Sequence, residues 1–323
     1  MIIGAVLAGR EAGYTRAVTV RPPVLAAGDV VMLVSPSGPV KPERVDEGVA
    51  LLEGWGLVVR HAPGTLDRHG YLAGLDDARL SGLNGALRDP KVRAVICTRG
   101  GYGAQRIVDS LDSAALRDDP KLLVGFSDIT ALQLAVWRHA KLASVYAPMA
   151  AWSVERTGAA SAESLRAAIM TAGDCVLDAR PDEETSGVRV GGRPVTGTLV
   201  GGNLCMIAST IGTPDMPSLR DAILLIEDVD EPPYKVDRML TQLRRSGALD
   251  GIIGVAVGQF TRCSDGWPTT IVDVLLDRLG DLGVPVLGGL PVGHGRDQMS
   301  VPVGVPATLD VGAGTLTATA AVA

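Results

Sequence analysis

The sequence has few of the features on which several common functions depend. Aromatic residues make up 3% of its 323 residues, so the core must be built mainly from Ala, Val, Leu and Ile. The net charge of -6 at pH 7 argues against a nucleic-acid partner, which would need a basic patch. No segment offers about 18 uninterrupted apolar residues, so no membrane partner is predicted either. We expect a cytoplasmic protein.

Cysteine and histidine are also scarce, with four of each. The cysteines lie far apart without a C-x-x-C pair, which favours reduced thiols over a disulfide framework or a zinc site. The histidines show no H-E-x-x-H or comparable spacing, and the chain contains no G-x-x-x-x-G-K-[ST] phosphate loop. We therefore predict no metal and no cofactor.

Apolar, strand-like runs alternate with helical patterns along most of the chain from Asp29 onward. Such strands, separated by helices, predict a parallel sheet covered on both faces, and hence an α/β fold. Residues 171–195 are polar, contain Gly and Pro, and indicate a connection between two domains. We predict an extension at 1–20, an N-terminal α/β domain at 21–170, and a C-terminal α/β domain with a β-rich tail at 196–323. The active site would lie in the cleft between the domains.

Ser127 lies where the apolar run "KLLVGF" ends and the helical pattern "ITALQLAVWRHA" begins. Ligands of open α/β sheets bind at this carboxyl edge of the strands. The helix N-terminus also offers free N–H groups that could stabilise an oxyanion. Serine is equally a preferred helix N-cap residue, so the local sequence leaves both interpretations open.

A glycine-rich turn, "TRGGYG", follows the strand-like run "VRAVICT" and precedes a predicted helix over 104–111. Adjacent glycines let the backbone approach a ligand closely. The third glycine of a dinucleotide-binding G-x-G-x-x-G is missing, so an oxyanion-hole donor fits this turn better than a phosphate. A purely structural turn remains the alternative.

A serine nucleophile needs a base and a carboxylate that orients the base. His294 lies between glycines in "LPVGHG", just after a predicted strand, where its ring is free to enter a cleft. In "AILLIEDVDE" an apolar strand ends at Glu227-Asp228, so these carboxylates also lie at a strand's carboxyl end. Each signal alone is weak, because loop histidines are often inert and acidic loops are usually just solvated.

Together these residues resemble the LD-carboxypeptidase family of serine peptidases, which also contains the microcin C immunity peptidases. The resemblance runs from about Arg21 to the tail. It rests on "SPSGPV", "YLAGLDDARLSGLNGALRDPKVRAVICTRGGYGAQRI", "LVGFSDITAL", "GTLVGGNLCMIASTIGTP", "ILLIEDVDEPPYKVDRMLTQL" and "LPVGHG". Several collinear motifs of this length are far more specific than any single short pattern.

The resemblance implies a catalytic triad of Ser127 as nucleophile, His294 as general base and Glu227 as the carboxylate that orients it. It implies that backbone N–H groups of Gly101 and Asp128 form the oxyanion hole. A carboxypeptidase must also bind the terminal carboxylate of its substrate.

Three residues are substrate-binding candidates. They are Gly100, Arg99 and Arg106, and the sequence does not choose between the two arginines.

The activity implied by the resemblance is removal of the terminal D-alanine from murein tetrapeptide during peptidoglycan recycling, by a homodimeric enzyme. Cleavage of a peptide-nucleotide such as processed microcin C is the alternative within the family. It would favour more aromatic residues than the four Trp, five Tyr and two Phe present. From a different class, a non-catalytic nucleotide- or sugar-binding module is disfavoured by the missing phosphate loops.

Overall fold

The structure, a computed structural model, describes residues 19–151, 157–264 and 266–323. The extension predicted for residues 1–20 therefore lies almost wholly outside the described residues. Its last residue, Val20, forms an isolated parallel bridge with Leu142. Among the helices of the described ranges, none combines the length and the apolar character needed to span a bilayer.

Strands and helices alternate along the described chain, as the sequence predicts. The strands are β1 Val30–Val34, β2 Val58–His61, β3 Val92–Cys97, β4 Leu122–Gly125, β5 Ser144–Tyr146, β6 Cys175–Asp178, β7 Arg189–Val190, β8 Val195–Asn203, β9 Ala222–Val229, β10 Gly254–Thr261, β11 Val286–Leu287, β12 Val301–Val303, β13 Val305–Asp310 and β14 Thr315–Ala318. The helices are α1 Pro42–Gly54, α2 Asp76–Arg88, α3 Ser113–Asp118, α4 Thr130–Ala140, α5 Ala159–Met170, α6 Leu204–Thr210, α7 Pro233–Arg245 and α8 Ile271–Leu279.

The first sheet has the strand order β12-β5-β4-β3-β1-β2. Strands β1 to β5 are parallel, and only the pairing of β12 with β5 is antiparallel. All four residues of β4 are buried, which is why the run reads as continuously apolar instead of alternating. The carboxyl ends of β3, β4 and β5 therefore meet at one edge of this sheet.

The second sheet has the order β6-β14-β13-β8-β9-β10-β11-β7. Its centre, β8 to β11, is parallel, and antiparallel strands flank it on both sides. The segment 171–195, predicted as an irregular connection, supplies β6 and β7, the two outermost strands. The protein is thus an α/β fold with two sheets, as predicted, while the proposed domain limits stay a prediction.

One strand joins the two sheets. β12 lies between β11 and β13 in the chain, yet it pairs with β5 of the first sheet, with Val301 opposite Tyr146. A single apolar cluster accordingly includes Val124 of the first sheet and Leu225 and Leu309 of the second. The shared core brings the carboxyl ends of β4 and β5 against those of β8 and β9.

The helix predicted over 104–111 is wrong. The structure has two 3-10 turns there, Ala104–Arg106 and Val108–Ser110. Ile107 lies between them with φ of -120°, outside the helical region, which interrupts the turns. The segment packs as a compact loop beside the glycine-rich turn.

Candidate active site

Ser127 is presented by a strained turn at the end of β4. Its φ is +63°, a left-handed conformation that is uncommon for a residue with a Cβ. Residues Ser127–Ile129 form a 3-10 turn, and α4 follows at once. Ile129 occupies the N-cap position of α4 without a side-chain bond, so the interpretation of Ser127 as the cap of α4 is wrong. The strained backbone of Ser127 instead places this serine at the edge of the sheet, just after β4.

The glycine-rich turn lies directly against this serine. A methyl group placed on Gly100 would lie 3.0 Å from Cβ and 3.2 Å from Oγ of Ser127, and 3.4 Å from the backbone N of Asp128. Gly101 has φ of +113°, which favours glycine. Gly38, in "SPSG", donates its N–H to the carbonyl oxygen of Gly100 at 3.1 Å. The backbone of both turns thus surrounds the space next to Oγ.

The side chain of Asp128 holds these loops together. It is buried, and its Oδ2 accepts hydrogen bonds from Ser37 Oγ at 2.5 Å and from the backbone N of Ala104 at 2.9 Å. Asp128 therefore fixes the serine turn, the "SPSG" loop and the glycine-rich turn in one arrangement. The sequence singled out Asp128 only for its backbone N–H, and it gave no role to Ser37.

Glu227 and His294 meet at the edge of the second sheet. Glu227, near the end of β9, is fully buried, and its Oε2 lies 2.7 Å from His294 Nδ1. A carboxylate can only accept, so Nδ1 carries the proton and Nε2 is left free to act as a base. Burial alone would lower the pKa of His294, but the adjacent Glu227 carboxylate outweighs it, and the pKa rises above 6.5.

Two residues that sequence reasoning missed hold the other oxygen of this carboxylate. The hydroxyl of Tyr146, at the end of β5, donates to Glu227 Oε1 at 2.6 Å and accepts the backbone N–H of Ser127 at 3.1 Å. Asn203, at the end of β8, donates to the same oxygen at 3.2 Å. Both residues end a strand, which is the one signal that could have pointed to them.

Asp228 is a second buried carboxyl beside Glu227. Burial, and then repulsion from Glu227, raises the pKa of Asp228 from 3.8 to about 7, although hydrogen bonds from Asn203 and backbone N–H groups favour its charged form. Its Oδ2 accepts the backbone N–H of Cys205 at the start of α6, at 2.9 Å. Asp228 thus anchors α6 against the end of β9.

Contacts between the two sheet edges place the predicted triad residues in one neighbourhood. The rings of Phe126, the residue before Ser127, and His294 have centroids 4.7 Å apart. The Tyr146 hydroxyl connects the backbone of Ser127 to Glu227, which in turn bonds His294. The sheet edges therefore bring together residues that lie 67 or more positions apart in the sequence.

The two candidate arginines lie in different surroundings. Arg99 Nη1 donates to the carbonyl oxygen of Pro39 at 2.9 Å, beside the glycine-rich turn. Arg106 is paired through Nε and Nη2 with both oxygens of Asp76, at 2.7–3.0 Å. Neither arrangement by itself identifies the residue that binds a substrate carboxylate.

The comparisons with known proteins define the class. The LD-carboxypeptidase N-terminal domain matches residues 31–147, and the LD-carboxypeptidase C-terminal domain matches residues 196–309. The protein is a serine-type carboxypeptidase. More particularly, the chain belongs to the LD-carboxypeptidase family.

Individual relatives agree with this assignment. A putative carboxypeptidase of Streptomyces coelicolor is 44% identical over 92% of this chain and 96% of its own length. The muramoyltetrapeptide carboxypeptidase of Oxalobacter formigenes has a similar structure, with a TM-score of 0.78 and 31% identity over 89% of this chain and 99% of that one. The microcin C7 self immunity protein MccF shares the fold, with a TM-score of 0.82 and 23% identity over 93% and 98% of the two chains.

Proposed function

We propose that this protein is a cytoplasmic LD-carboxypeptidase that hydrolyses the L,D-peptide bond to the terminal D-alanine of murein tetrapeptide, with Ser127, His294 and Glu227 as its triad. The observation that carries the proposal is the pairing of a fully buried Glu227 with His294 Nδ1 at 2.7 Å, next to the strained Ser127 turn. In peptidoglycan recycling the enzyme would yield tripeptide and free D-alanine.

The proposed reaction begins with His294. Nε2 takes the proton of Ser127 Oγ as the oxygen attacks the scissile carbonyl carbon, and the Glu227 carboxylate stabilises the resulting imidazolium. The imidazolium then gives its proton to the leaving amine of D-alanine. Water, deprotonated by the same His294, releases the acyl group from Ser127.

The developing oxyanion would be held by backbone N–H groups of Asp128 and Gly101. A Cβ built on Gly100 would lie 3.2 Å from Ser127 Oγ, which supports the placement of the turn beside the reacting carbonyl. Loss of one such donor typically costs about 2.7–4 kcal/mol of transition-state stabilisation. The Ser127 N–H is held by Tyr146, so it is not assigned to the oxyanion.

For the substrate's terminal carboxylate we favour Arg99 over Arg106. A Cβ on Gly101 would lie 3.9 Å from Arg99 Nη2, so this guanidinium is close to the proposed oxyanion hole. Arg106 already makes a bidentate pair with Asp76. A homodimer, which the family resemblance implies, remains part of the proposal to be tested by light scattering.

The deciding experiment offers the purified protein L-Ala-D-Glu-meso-diaminopimelate-D-Ala and follows the tripeptide by mass spectrometry. We expect turnover in the wild type and a loss of about 10⁴-fold or more in Ser127→Ala. Ser110→Ala is the matched control, because Ser110 is exposed and its backbone bonds are with Asn84 and Ile107, not with the candidate triad. Full activity in Ser127→Ala would overturn the mechanism.

The same assay separates the alternative substrate class. A relative of known structure, MccF, has been described in complex with aspartyl sulfamoyl adenosine. If the tetrapeptide were left intact while an aminoacyl-nucleotide amide was cleaved, the substrate assignment would move to a peptide-nucleotide. The scarcity of aromatic side chains, which such a substrate would use for stacking, favours the murein peptide.

A further inference from the structure

The side chain of Tyr146 bonds both halves of the site, the Ser127 turn and Glu227. It ends β5, next to β4, and Gly125 lies opposite it in the parallel pairing. Its ring packs edge-to-face on Phe126, with centroids 6.0 Å apart. On the other side the ring meets β8, where a methyl group on Gly202 would lie 2.6 Å from Cε2. The ring is thus buried between the two sheets.

The directions of the hydrogen bonds that join Tyr146 to Glu227 and to Ser127 are fixed. A phenol has one hydrogen, and the Glu227 carboxylate can only accept, so that hydrogen goes to Glu227 Oε1. The oxygen therefore accepts from the Ser127 N–H. Burial, and then the neighbouring Glu227 charge, holds the pKa of Tyr146 well above 10, so the group remains a donor over the working pH range.

Each bond constrains a different atom of the proposed triad. The bond to Oε1 sets the rotation of the Glu227 carboxylate, which directs Oε2 to His294 Nδ1. The bond from the Ser127 N–H holds a residue whose φ of +63° needs external support. One hydroxyl thereby fixes the nucleophile relative to the acid that orients its base.

We propose that Tyr146 is a positioning residue of the triad, whose hydroxyl sets the relative geometry of Ser127 and Glu227 without touching the substrate. This inference rests on the triad assignment made above. It goes beyond that assignment by adding a fourth residue with a defined kinetic role.

The test replaces Tyr146 by phenylalanine, which keeps the ring and removes only the hydroxyl. Because a hydrogen bond to a charged group is lost, we expect kcat on murein tetrapeptide to fall about ten- to hundredfold, with KM changed by less than about threefold. Tyr234→Phe is the matched control, since it removes the hydroxyl of an exposed tyrosine that packs on Arg238. Thermal melting of both variants checks that they fold.

A pH profile provides a readout that a purely structural role would not move. Without the Tyr146 donor, more of the negative charge of the Glu227 carboxylate acts on the His294 imidazolium, so the pKa of His294 should rise. The acid limb of kcat/KM should therefore move to higher pH in Tyr146→Phe. The other charged groups that act on His294 are Asp228, Asp230 and Arg262, and the substitution leaves all three in place.

Rescue makes the test independent of folding. Tyr146→3-fluorotyrosine keeps a donor in the same place, so it should retain kcat within about threefold of wild type. Wild-type kcat in Tyr146→Phe, or a loss confined to KM, would overturn the inference.

Labelling of Ser127 by a fluorophosphonate separates the inference from the choice of substrate. It should slow about tenfold or more in Tyr146→Phe even if the tetrapeptide is not the substrate. If the wild type neither cleaved the tetrapeptide nor was labelled at Ser127, the triad and the role of Tyr146 would both be overturned.

Discussion

The edge of the first sheet presents mainly backbone atoms to the candidate site, whereas the edge of the second sheet presents buried carboxyl groups. Ser127 and Gly101 both adopt positive φ, and the space beside them is bounded by main-chain atoms. Glu227 and Asp228, by contrast, are carboxyl groups withdrawn from solvent and held by donors from neighbouring strands. We therefore expect the proposed chemistry to depend mainly on backbone shape at the first edge, where the buried Asp128 fixes the loops, and mainly on electrostatics at the second.

This difference predicts which substitutions should abolish activity at each edge. A shape-dependent site should be destroyed by one added methyl group, with little dependence on pH. A charge-dependent site should respond to the loss of a charge even when the replacement keeps the shape of the side chain. Its response should depend on pH. Three substitutions test the contrast, in order of decreasing expected effect.

Glu227→Gln should have the largest effect. The amide keeps the size of the side chain but removes the charge that stabilises the imidazolium, so kcat should fall about 10⁴-fold. Glu227 is also what raises the pKa of His294, so the acid limb of the residual kcat/KM should move to lower pH.

Stopped assays on murein tetrapeptide from pH 4 to 9 measure both effects of Glu227→Gln. The exposed Glu163→Gln is the control, since Glu163 only approaches Arg166 on the surface of α5. An unchanged acid limb in Glu227→Gln would contradict the electrostatic account of the second edge.

Gly100→Ala should come next. The added methyl would press on Ser127 Oγ and the N–H of Asp128, so we expect kcat/KM to fall about 10²–10³-fold, comparable to the loss of an oxyanion donor. The shape of the pH profile should stay as in the wild type.

The matched control for Gly100→Ala is Gly85→Ala on α2. A methyl group there meets no atom within 4 Å, so activity should be retained and the free energy of unfolding should rise by about 0.5–1 kcal/mol. Near-wild-type turnover by Gly100→Ala would show that the glycine-rich turn does not border the reacting atoms.

Asp228→Asn should have the smallest effect, on the pH dependence of stability. The pKa of the Asp228 carboxyl is raised to about 7 in the folded protein, whereas the pKa of an unfolded Asp is about 3.9. The protonated carboxyl therefore contributes its full stability below about pH 3.9, and this stability is lost as the pH rises through about 7. From pH 5 to pH 8 the wild type should therefore lose about 2–3 kcal/mol relative to Asp228→Asn. Urea unfolding at both pH values measures this. A constant difference between the two proteins would mean that Asp228 is not protonated at pH 5.

The sequence predicted the fold best where the pattern of neighbouring residues determines the strand or helix that they form. Continuously apolar runs such as β4 predict buried parallel strands, and the structure confirms the α/β fold that follows from them. The candidates Ser127, Glu227 and His294 were found because each lies beside a strand end or between glycines. The prediction that these three residues form one site needed the family resemblance, because no local signal was strong enough alone.

What the sequence did not predict depends on distant parts of the chain. In the sequence Tyr146 is indistinguishable from any aromatic residue of a buried strand. Its role depends on the contact of its hydroxyl with Glu227, which lies 81 positions away. The positive φ of Ser127 was also hidden, since serine suggests a cap and gives no sign of strain. Strands β6 and β7 are short and partly exposed, so their pairing, and not their hydrophobicity, makes them strands.

The crossing of β12 has a consequence for the order in which the chain matures on the ribosome. The first sheet cannot gain its last strand until residue 303 has been made, although β5 ends at Tyr146. At 5–20 residues per second, the exposed edge of β5 waits about 8–30 s for its partner. Because Tyr146 lies on that edge, opposite Val301, the serine turn acquires its final surroundings only near the end of synthesis.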